Sequence, residues 1–487
     1  MSRSNAAHRT VRDIDMIALA REYGTPLYVL SESSIEANYE HYRAALAAVY
    51  DDYLICYAVK ANTTFAIIKL LSERGAGADV ASEYELQIAL DAGIPPAKIR
   101  ANGNCKSDKY LTACIQLGIV INADPEAELA VIDELARELG AEAKVNLRLA
   151  GFPLASITAP AITTSSAWSK FGIPIRRAQA VFQQVVAREH LVPHGLMVHL
   201  GSQITDITAY QRVCETLISL AREANALGFA VHELNLGGGC GISYLNRDEW
   251  TAVKRAIADP QTVTTWANKP LGYNCAGDWE SEELFCPFTP DRFIQQLFTE
   301  RLSGGKSFKE HLEELGSPRV VIEPGRSIVG NAQVTVVQVG HVGTTPEGHN
   351  VVHVNAGVQL HSQNLIVPEQ LHHVEIAGST SESSERFETF IAGNLCFTGD
   401  LLYQIKYPLQ GRPKRGDYLI IYDTGAYADF FAATTNSFPR PAKVLVTKSG
   451  ETRLVVQRED VHGVFQRDLD WRAHSAARFG YQRPVEQ

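Results

Sequence analysis

The chain has 487 residues, of which 45% are hydrophobic and 21% are charged, so it can bury a large core in two or three folding units. Its formal net charge of −10 argues against a surface that follows nucleic-acid phosphates, which needs clustered Lys and Arg. No window reaches the roughly 18 uninterrupted apolar residues of a membrane span, and no signal-peptide core is evident. We therefore expect a soluble, cytoplasmic protein. Its eight cysteines are scattered without a C-x-x-C pair, so no metal cluster is predicted.

From about residue 53 to 330, short apolar runs alternate with amphipathic helical stretches. This pattern predicts a (β/α)8 barrel, with an open doubly wound sheet as the alternative. Polar and Gly-rich residues cluster just after the strands, where barrel enzymes place their chemistry, and this favours the barrel. The eight predicted strands lie within 53–61, 77–82, 98–104, 119–124, 143–150, 195–204, 232–242 and 319–330.

The alternation breaks between about 243 and 290, in a segment rich in Trp, Asn and Asp that we interpret as an insertion in a barrel loop. After Gly330, hydrophobic runs separated by turn residues predict an antiparallel β-domain. TPLYVLSES near the N-terminus could add a strand and make that domain discontinuous. The predicted division is a barrel at 33–330 and a β-domain formed by 1–32 and 331–487.

The first predicted barrel strand ends in a lysine. In CYAVKANT the apolar run stops at Lys60, which turn-forming residues follow. Burial lowers the pKa of a lysine amine, and an amine at the mouth of a barrel can attack a carbonyl to form a Schiff base. Taken alone, Lys60 also fits a snorkelling lysine at a strand end.

Polar residues at the ends of later strands could complete a binding site. In LNLGGGCGIS, Gly238 and Gly239 would let backbone N–H groups approach a phosphate, although a Gly run also suits a tight turn. In EPGRSIVG, Glu323 could hold a heteroaromatic nitrogen protonated and Arg326 could pair with a phosphate or a carboxylate; an internal ion pair is the alternative. Further strand-end candidates are His199 and Ser202 in HLGSQI, Asp79 in GADVAS and Arg148 in VNLRLA.

Together these motifs resemble the pyridoxal-phosphate-dependent decarboxylases of the alanine-racemase-like fold, with the diaminopimelate and ornithine decarboxylases nearest. The resemblance runs in order from about residue 25 to about residue 450, through YAVKAN, DVAS, HLGSQ, GGGCGI, EPGR, CFTGD and GAYADFFAATTNSFPRPAKVLV. It implies a homodimeric enzyme that uses pyridoxal 5′-phosphate (PLP) to remove the α-carboxylate of an amino acid as carbon dioxide.

The resemblance also implies roles for single residues. Lys60 would bind the cofactor aldehyde, and Glu323 would partner the pyridine nitrogen. His199 would stack on the ring, and Cys396 would cross a dimer interface to return a proton to the substrate; a buried structural thiol is the alternative for Cys396. The remaining ring and phosphate contacts would come from Asp79, Arg148, Ser202, Gly238, Gly239, Arg326 and Tyr427.

Two positions depart from the family pattern. Where diaminopimelate decarboxylases carry Arg-Pro followed by Tyr, this chain has Val367 before Pro368. The carboxylate that follows the family's cysteine and holds a distal amine is replaced by Phe397, which cannot accept a hydrogen bond; Asp400 could partly compensate. We therefore predict decarboxylation of an amino acid with a non-standard distal side chain, such as a larger one from siderophore or other specialised metabolism.

Two alternatives stay open at this point. One is a true meso-diaminopimelate decarboxylase that makes L-lysine with substituted contacts. The other is a non-catalytic, PLP-binding regulatory relative. Retention of Lys60, Glu323 and Cys396 favours an enzyme, because a non-catalytic binder needs no proton donor.

Overall fold

A computed structural model of the chain describes residues 14–152, 164–165, 168–258, 265–266, 284–367, 370–378, 386–429 and 431–479. None of the described helices combines the length and apolarity that crossing a bilayer requires. The helices are α1 Met16–Tyr23, α2 Glu32–Val49, α3 Phe65–Glu73, α4 Glu83–Asp91, α5 Asp108–Gln116, α6 Glu128–Leu139, α7 Ala178–Val186, α8 Ile207–Ala226, α9 Arg247–Ala258, α10 Pro290–Thr299, α11 Phe308–Glu314, α12 Arg326–Val329, α13 Gln363–Ile366, α14 Val461–Phe465 and α15 Leu469–Phe479. The strands are β1 Leu27–Ser31, β2 Tyr53–Ala58, β3 Gly77–Val80, β4 Ile99–Ala101, β5 Val120–Ala123, β6 Ala143–Ala150, β7 Ile173–Pro174, β8 Leu191–Val198, β9 Glu233–Asn235, β10 Arg319–Ile322, β11 Gln333–Thr344, β12 Asn350–Val354, β13 Val374–Ile376, β14 Arg386–Ala392, β15 Leu401–Gln410, β16 Tyr418–Ile421, β17 Ala442–Val446 and β18 Thr452–Val456.

Eight strands form a closed parallel barrel. In sheet order they are β5, β4, β3, β2, β10, β9, β8 and β6, and a further pairing of β5 with β6 closes the ring. All eight predicted barrel strands fall on these segments, so the barrel is confirmed and the open sheet is excluded. The two-residue β7, which pairs with the end of β6, is absent from the prediction.

The barrel strands are apolar because both of their faces are covered. β2, for example, is buried along its whole length except for the half-buried Tyr53. The helices that follow two of the strands begin at serines: the side chains of Ser82 and Ser107 accept hydrogen bonds from backbone N–H groups in α4 and α5. Since parallel strands all point one way, the polar residues that follow them gather at one end, the mouth of the barrel.

The strands after the barrel form a second sheet together with β1. Its main order is β15, β14, β12, β11, β1, β17 and β18, and β16 pairs with both β11 and β13. The sheet is mixed rather than wholly antiparallel, because β1 runs parallel to β17 and β12 runs parallel to β14. A parallel pair needs a long connection, and the barrel itself supplies the one between β1 and β17. The residue bounds proposed for the two domains stay a prediction.

Loops of the second sheet meet the barrel at its mouth. The N–H of Tyr427 donates to the carbonyl of Ala61 at 3.0 Å, and the N–H of Gly425 donates to that of Gly330 at 2.9 Å. A Cβ on Gly425 would lie only 1.7 Å from the carbonyl oxygen of Val329, so this close approach requires glycine. The mouth is therefore covered in part by the second sheet.

The described part of the predicted insertion packs against the second sheet. Trp250 and Leu284 join an apolar cluster that also holds Val337 and Leu402 from the sheet. The ring of Trp266 meets that of Phe390 edge-on, with 5.0 Å between centroids. Residues 259–264 and 267–283 of the insertion, like Pro368, lie outside the described residues.

Candidate active site

Lys60 lies just beyond the first barrel strand, at the mouth. It sits in a single 3-10 turn, Val59–Ala61, and its Nζ donates to Oδ2 of Asp79, near the end of β3. The register of β2 and β3 aligns Ala58 with Asp79. Lys60, two residues further along the chain, therefore lies next to the Asp79 carboxylate. Asp79 is buried, whereas the Lys60 side chain keeps 33% of its surface exposed. Two predicted site residues are thus in direct contact.

The Asp79 carboxylate reverses the effect that burial alone has on Lys60. Burial lowers the pKa of the amine, but attraction to Asp79, with contributions from Tyr427 and Glu323, outweighs it and holds the pKa of Lys60 above its usual value. The net direction is thus the opposite of the one that burial alone predicts for this pKa. Lys60 is an ammonium whose position Asp79 fixes.

Glu323 is buried directly after β10 and accepts hydrogen bonds from amides of other strands. Its Oε1 accepts from Nδ2 of Asn235 at 2.7 Å and from Nδ2 of Asn102 at 3.1 Å. Nδ2 of Asn102 also donates to Oδ1 of Asp79 at 2.6 Å. One amide therefore joins the Lys60–Asp79 pair to Glu323.

Opposing effects act on the pKa of Glu323. Burial and then repulsion from Asp79 raise the pKa of Glu323, while Lys60 and the amide donors lower it, and the balance places it at about 7. A carboxyl with this pKa changes charge near neutral pH. Such a group is suited to share a proton with a basic ring nitrogen.

Arg326 begins α12 among hydroxyl groups and aromatic rings. Its Nε and Nη2 donate to Oγ of Ser202 at 3.1 and 2.9 Å, and its Nη1 donates to the hydroxyl of Tyr244. Its Cζ lies 5.1 Å from the ring centroid of Tyr427. Three predicted residues, Ser202, Arg326 and Tyr427, therefore come together, with Tyr244 as an unpredicted neighbour.

The glycine run after β9 passes so close to other backbone segments that side chains do not fit. A Cβ on Gly238 would lie 2.2 Å from the carbonyl oxygen of Glu323, and one on Gly239 would lie 2.4 Å from that of Gly201. Gly239 also has a φ of 108°, in the region that favours glycine. The glycine run therefore passes, without side chains, between the segment that contains Glu323 and the loop that contains Ser202.

His199, at the end of β8, is a neutral imidazole. Burial, followed by the positive charges of Lys60 and Arg148, holds the pKa of His199 well below its usual value. Its Nδ1 accepts from the N–H of Gly238 at 3.2 Å, so the ring carries its proton on Nε2. Arg148 reaches the same region but pairs with Asp124, at 2.8 Å between Nη1 and Oδ2.

The residues predicted on the far side of the site lie apart from this cluster. Cys396 and Phe397 are exposed on the loop after β14, and in the described parts of the chain no hydrogen bond or ring contact joins them to Lys60 or Glu323. Asp400 braces that loop: its Oδ1 accepts from the N–H of Val358 at 2.7 Å, and its Oδ2 accepts from the N–H of Leu395 at 2.6 Å. Both carboxylate oxygens of Asp400 thus accept backbone N–H groups of the surrounding loops, and a role of Asp400 in binding the substrate stays a prediction.

Comparison with known proteins identifies the family. Residues 32–265 match the family described as pyridoxal-dependent decarboxylase, pyridoxal binding domain. The diaminopimelate decarboxylase of Aquifex aeolicus is 32% identical over 94% of this chain and 95% of its own length. The chain belongs to the pyridoxal-dependent decarboxylases. The diaminopimelate decarboxylase of Methanocaldococcus jannaschii is 30% identical over 93% of each chain, and its solved structure with L-lysine matches with a TM-score of 0.75, at 29% identity over 93% of this chain and 94% of that one.

The decarboxylase is accordingly a PLP-dependent carboxy-lyase acting on an amino acid, which confirms the resemblance drawn from its motifs and sets aside a non-catalytic relative. The residues present fit PLP. An amine suited to an aldehyde, a buried carboxyl suited to a ring nitrogen, and a glycine run beside Arg326 suited to a phosphate all meet at one mouth.

Sequence reasoning missed Tyr244 and a set of buried asparagines. Tyr244 stands in the segment interpreted as an insertion, where nothing indicated a return to the barrel mouth. The asparagines did leave a signal. ANGN, INAD, KVNL and LNLG each place an amide in or beside a barrel strand, where a packed barrel interior favours aliphatic residues: Asn102, Asn122, Asn146 and Asn235.

The raised pKa of Glu323 predicts a pH-dependent stability of the cofactor-free protein. Between the ordinary value of 4.5 and about 7, the folded chain keeps a proton that the unfolded chain releases. The contribution of Glu323 is therefore fully present below the lower value and is lost as pH rises through the higher one. Denaturant unfolding across this range should show a steeper loss of stability for the wild type than for Glu323→Gln. If the free energy of unfolding of the two proteins changed with pH in the same way, the raised pKa of Glu323 would be contradicted.

Proposed function

We propose that this decarboxylase acts on an amino acid whose side chain does not end in an ammonium group. The observation that carries the proposal lies next to Cys396, where Phe397 replaces a carboxylate and offers no acceptor. The nearest carboxylate along the loop, Asp400, already accepts backbone N–H groups with both oxygens. A distal ammonium would lose its counter-ion at this position.

The segment that differs from the Arg-Pro and Tyr pattern supports the same conclusion. Val367 is buried and apolar. Burial lowers the pKa of His361 to about 4 and, with His361 and Arg326, holds that of His372 well below its usual value, so both imidazoles are neutral. A neutral imidazole is not a counter-ion for a distal ammonium, so neither of these residues replaces the missing carboxylate.

In the proposed site the chain's own residues divide the work. Lys60 would bind the cofactor aldehyde, Asp79 holds Nζ of Lys60 in place, and Glu323 would partner the ring nitrogen. Arg326, Ser202 and the glycine run would hold the phosphate, and the neutral imidazole of His199 would contact the ring. Bound PLP supplies the electron sink that allows the α-carboxylate to leave as carbon dioxide.

We further propose a homodimer in which the partner subunit's Cys396 returns the proton. In one chain Cys396 is exposed, yet its loop is well fixed: its N–H donates to Oδ1 of Asn436 at 3.0 Å, and Asp400 braces the other side. Phe397 beside it exposes 51% of its surface, as suits an interface residue. A rigid, outward-facing thiol fits a site on a second chain.

Decarboxylation of meso-diaminopimelate is the second candidate. Curated relatives that cover nearly the whole chain carry that name, and the M. jannaschii structure holds L-lysine. The substitutions at Val367 and Phe397 weigh against this candidate.

Cofactor attachment tests the role of Lys60. Borohydride reduction followed by intact-mass analysis should leave PLP covalently bound to the wild type and not to Lys60→Ala, because only an amine at this position can bond to the aldehyde. Lys69→Ala, which removes an exposed lysine of α3, is the control and should retain the label. Labelled Lys60→Ala would overturn the assignment.

A substrate panel tests the proposed specificity. We expect carbon dioxide release to be at least about tenfold more efficient, in kcat/KM, for amino acids with neutral or acidic side-chain ends than for meso-diaminopimelate, ornithine or lysine, since an unpaired ammonium costs about 1–3 kcal/mol. Phe397→Glu should narrow the difference, and Phe397→Leu should not. Rapid formation of L-lysine from meso-diaminopimelate as the best reaction would reject the proposal in favour of the second candidate.

Mixing two variants with impaired activity tests whether each active site combines residues of both subunits. Cys396→Ala should slow turnover at least about tenfold while leaving PLP bound, because it removes a proton donor and no cofactor contact. When Cys396→Ala and Lys60→Ala are unfolded together and refolded, mixed dimers should regain about a quarter of wild-type sites. Each variant refolded alone is the control. No recovery in the mixture would place both groups in one chain.

A further inference from the structure

A row of amides crosses the inside of the barrel. Nδ2 of Asn146 donates to Oδ1 of Asn122 at 2.9 Å, and Nδ2 of Asn122 donates to Oδ1 of Asn102 at 2.9 Å. Asn102 in turn donates to Asp79 and Glu323. We call Asn102, Asn122 and Asn146 the amide row. Asn122 and Asn146 lie in the neighbouring strands β5 and β6, Asn102 directly follows β4, and all three are at most 5% exposed.

The amide row starts at a buried ion pair near the beginning of the strands. Nδ2 of Asn146 also donates to Oε1 of Glu233 at 2.8 Å, and Nε of Arg100 donates to the same oxygen at 2.8 Å. Burial acts to raise the pKa of Glu233, but His194, whose Nε2 lies 3.7 Å from Oε2 of Glu233, and the hydrogen-bonded Arg100 outweigh it and lower the pKa to about 2. Glu233 is therefore a carboxylate that only accepts.

A glycine opens the path between Asn146 and Glu233, which lie on strands separated by β8. A Cβ on Gly195 of β8 would lie 2.8 Å from Oδ1 of Asn146 and 2.2 Å from the carbonyl oxygen of Glu233. No side chain fits in this gap. The glycine at this position of β8 therefore leaves room for the hydrogen bond between Asn146 and Glu233.

Glu233 determines in which direction each amide of the row donates its hydrogen bond. Because Glu233 only accepts, Asn146 must turn its NH2 group toward it and toward Oδ1 of Asn122. Asn122 then turns its NH2 toward Oδ1 of Asn102 at 2.9 Å, with a longer contact of 3.5 Å to Oε1 of Glu323, and Asn102 turns its NH2 toward the mouth. A reversed Asn102 would place its carbonyl oxygen against two carboxylates, which is repulsive.

We propose that Asn102, oriented from within the barrel by Asn122, Asn146 and Glu233, is a positioning residue that fixes Asp79 and Glu323 relative to each other. By occupying Oδ1 of Asp79 it leaves Oδ2 for Lys60. By donating to Oε1 of Glu323 it restricts the rotation of that carboxyl. The inference rests on the proposed roles of Lys60 and Glu323 and is independent of the substrate.

The test follows the ionisation of Glu323 in cofactor-free protein. Infrared titration of its protonated carboxyl, identified by the band lost in Glu323→Gln, should give a midpoint that rises by about one pH unit in Asn102→Leu, because a donor to the charged form is removed. Asn146→Leu, which touches neither carboxylate, should raise it by a smaller amount. Asn102→Ser, which keeps a donor and removes bulk, should shift it less than Asn102→Leu and serves where the leucine variant does not fold.

The control and the readout separate positioning from packing. Thr389→Val removes a buried hydroxyl from β14 of the second sheet and should leave the midpoint unchanged at a comparable loss of thermal stability. None of these variants replaces a titratable group that faces Asp79 or Glu323. These groups are Lys60, Cys56, Glu85, Arg100 and Tyr110.

Two results would overturn the inference. An unchanged midpoint in Asn102→Leu removes the positioning role, and a shift in Asn102→Leu without any in Asn146→Leu removes the orientation from within the barrel. Because the titration uses neither PLP nor substrate, its outcome is distinguishable from a failure of the proposed function. In the holoenzyme, kcat of Asn102→Leu should fall at least about tenfold with little change in KM, and the pH profile of kcat should move with the infrared midpoint.

Discussion

The hydrogen-bonded ion pair between Lys60 and Asp79 is the contact on which the rest of the site depends. A carboxylate as buried as Asp79 is costly unless charge and hydrogen bonds compensate it, and Lys60 and Asn102 supply both. Burial raises the pKa of Glu323, and the negative charge of Asp79 adds to this effect, so that the pKa reaches about 7. The ion pair therefore contributes both to the position of Lys60 and to the protonation behaviour of Glu323.

The barrel and the position of its site could be predicted from the sequence because both follow from short-range patterns. Apolar runs the length of a strand, each followed by a polar residue, place Lys60, Asp79 and Glu323 at one mouth once the strands are parallel and closed. The pKa of Lys60 could not be predicted in the same way. It depends on the distance to one carboxylate on the neighbouring strand, and residue order alone does not give that distance.

The second sheet was harder to predict because its pairings join distant segments. β1, near the N-terminus, lies between β11 and β17, which come after the whole barrel along the chain. Tyr244 shows the same difficulty at the site, since it reaches Arg326 from a segment that reads as an insertion. The asparagines of the barrel were visible in the sequence, but each one alone resembles an ordinary turn residue.

The two parts of the site are built under different constraints. Lys60, Asp79, Asn102 and Glu323 share hydrogen bonds, so a change in one leaves a buried partner unsatisfied and alters the charge of the others. Val367 and Phe397 belong to loops of the second sheet and take no part in that network. A substitution there therefore leaves the hydrogen bonds of the two carboxylates in place. This separation allows a chain to keep the residues that suit PLP while the residue after Cys396 changes to an apolar one.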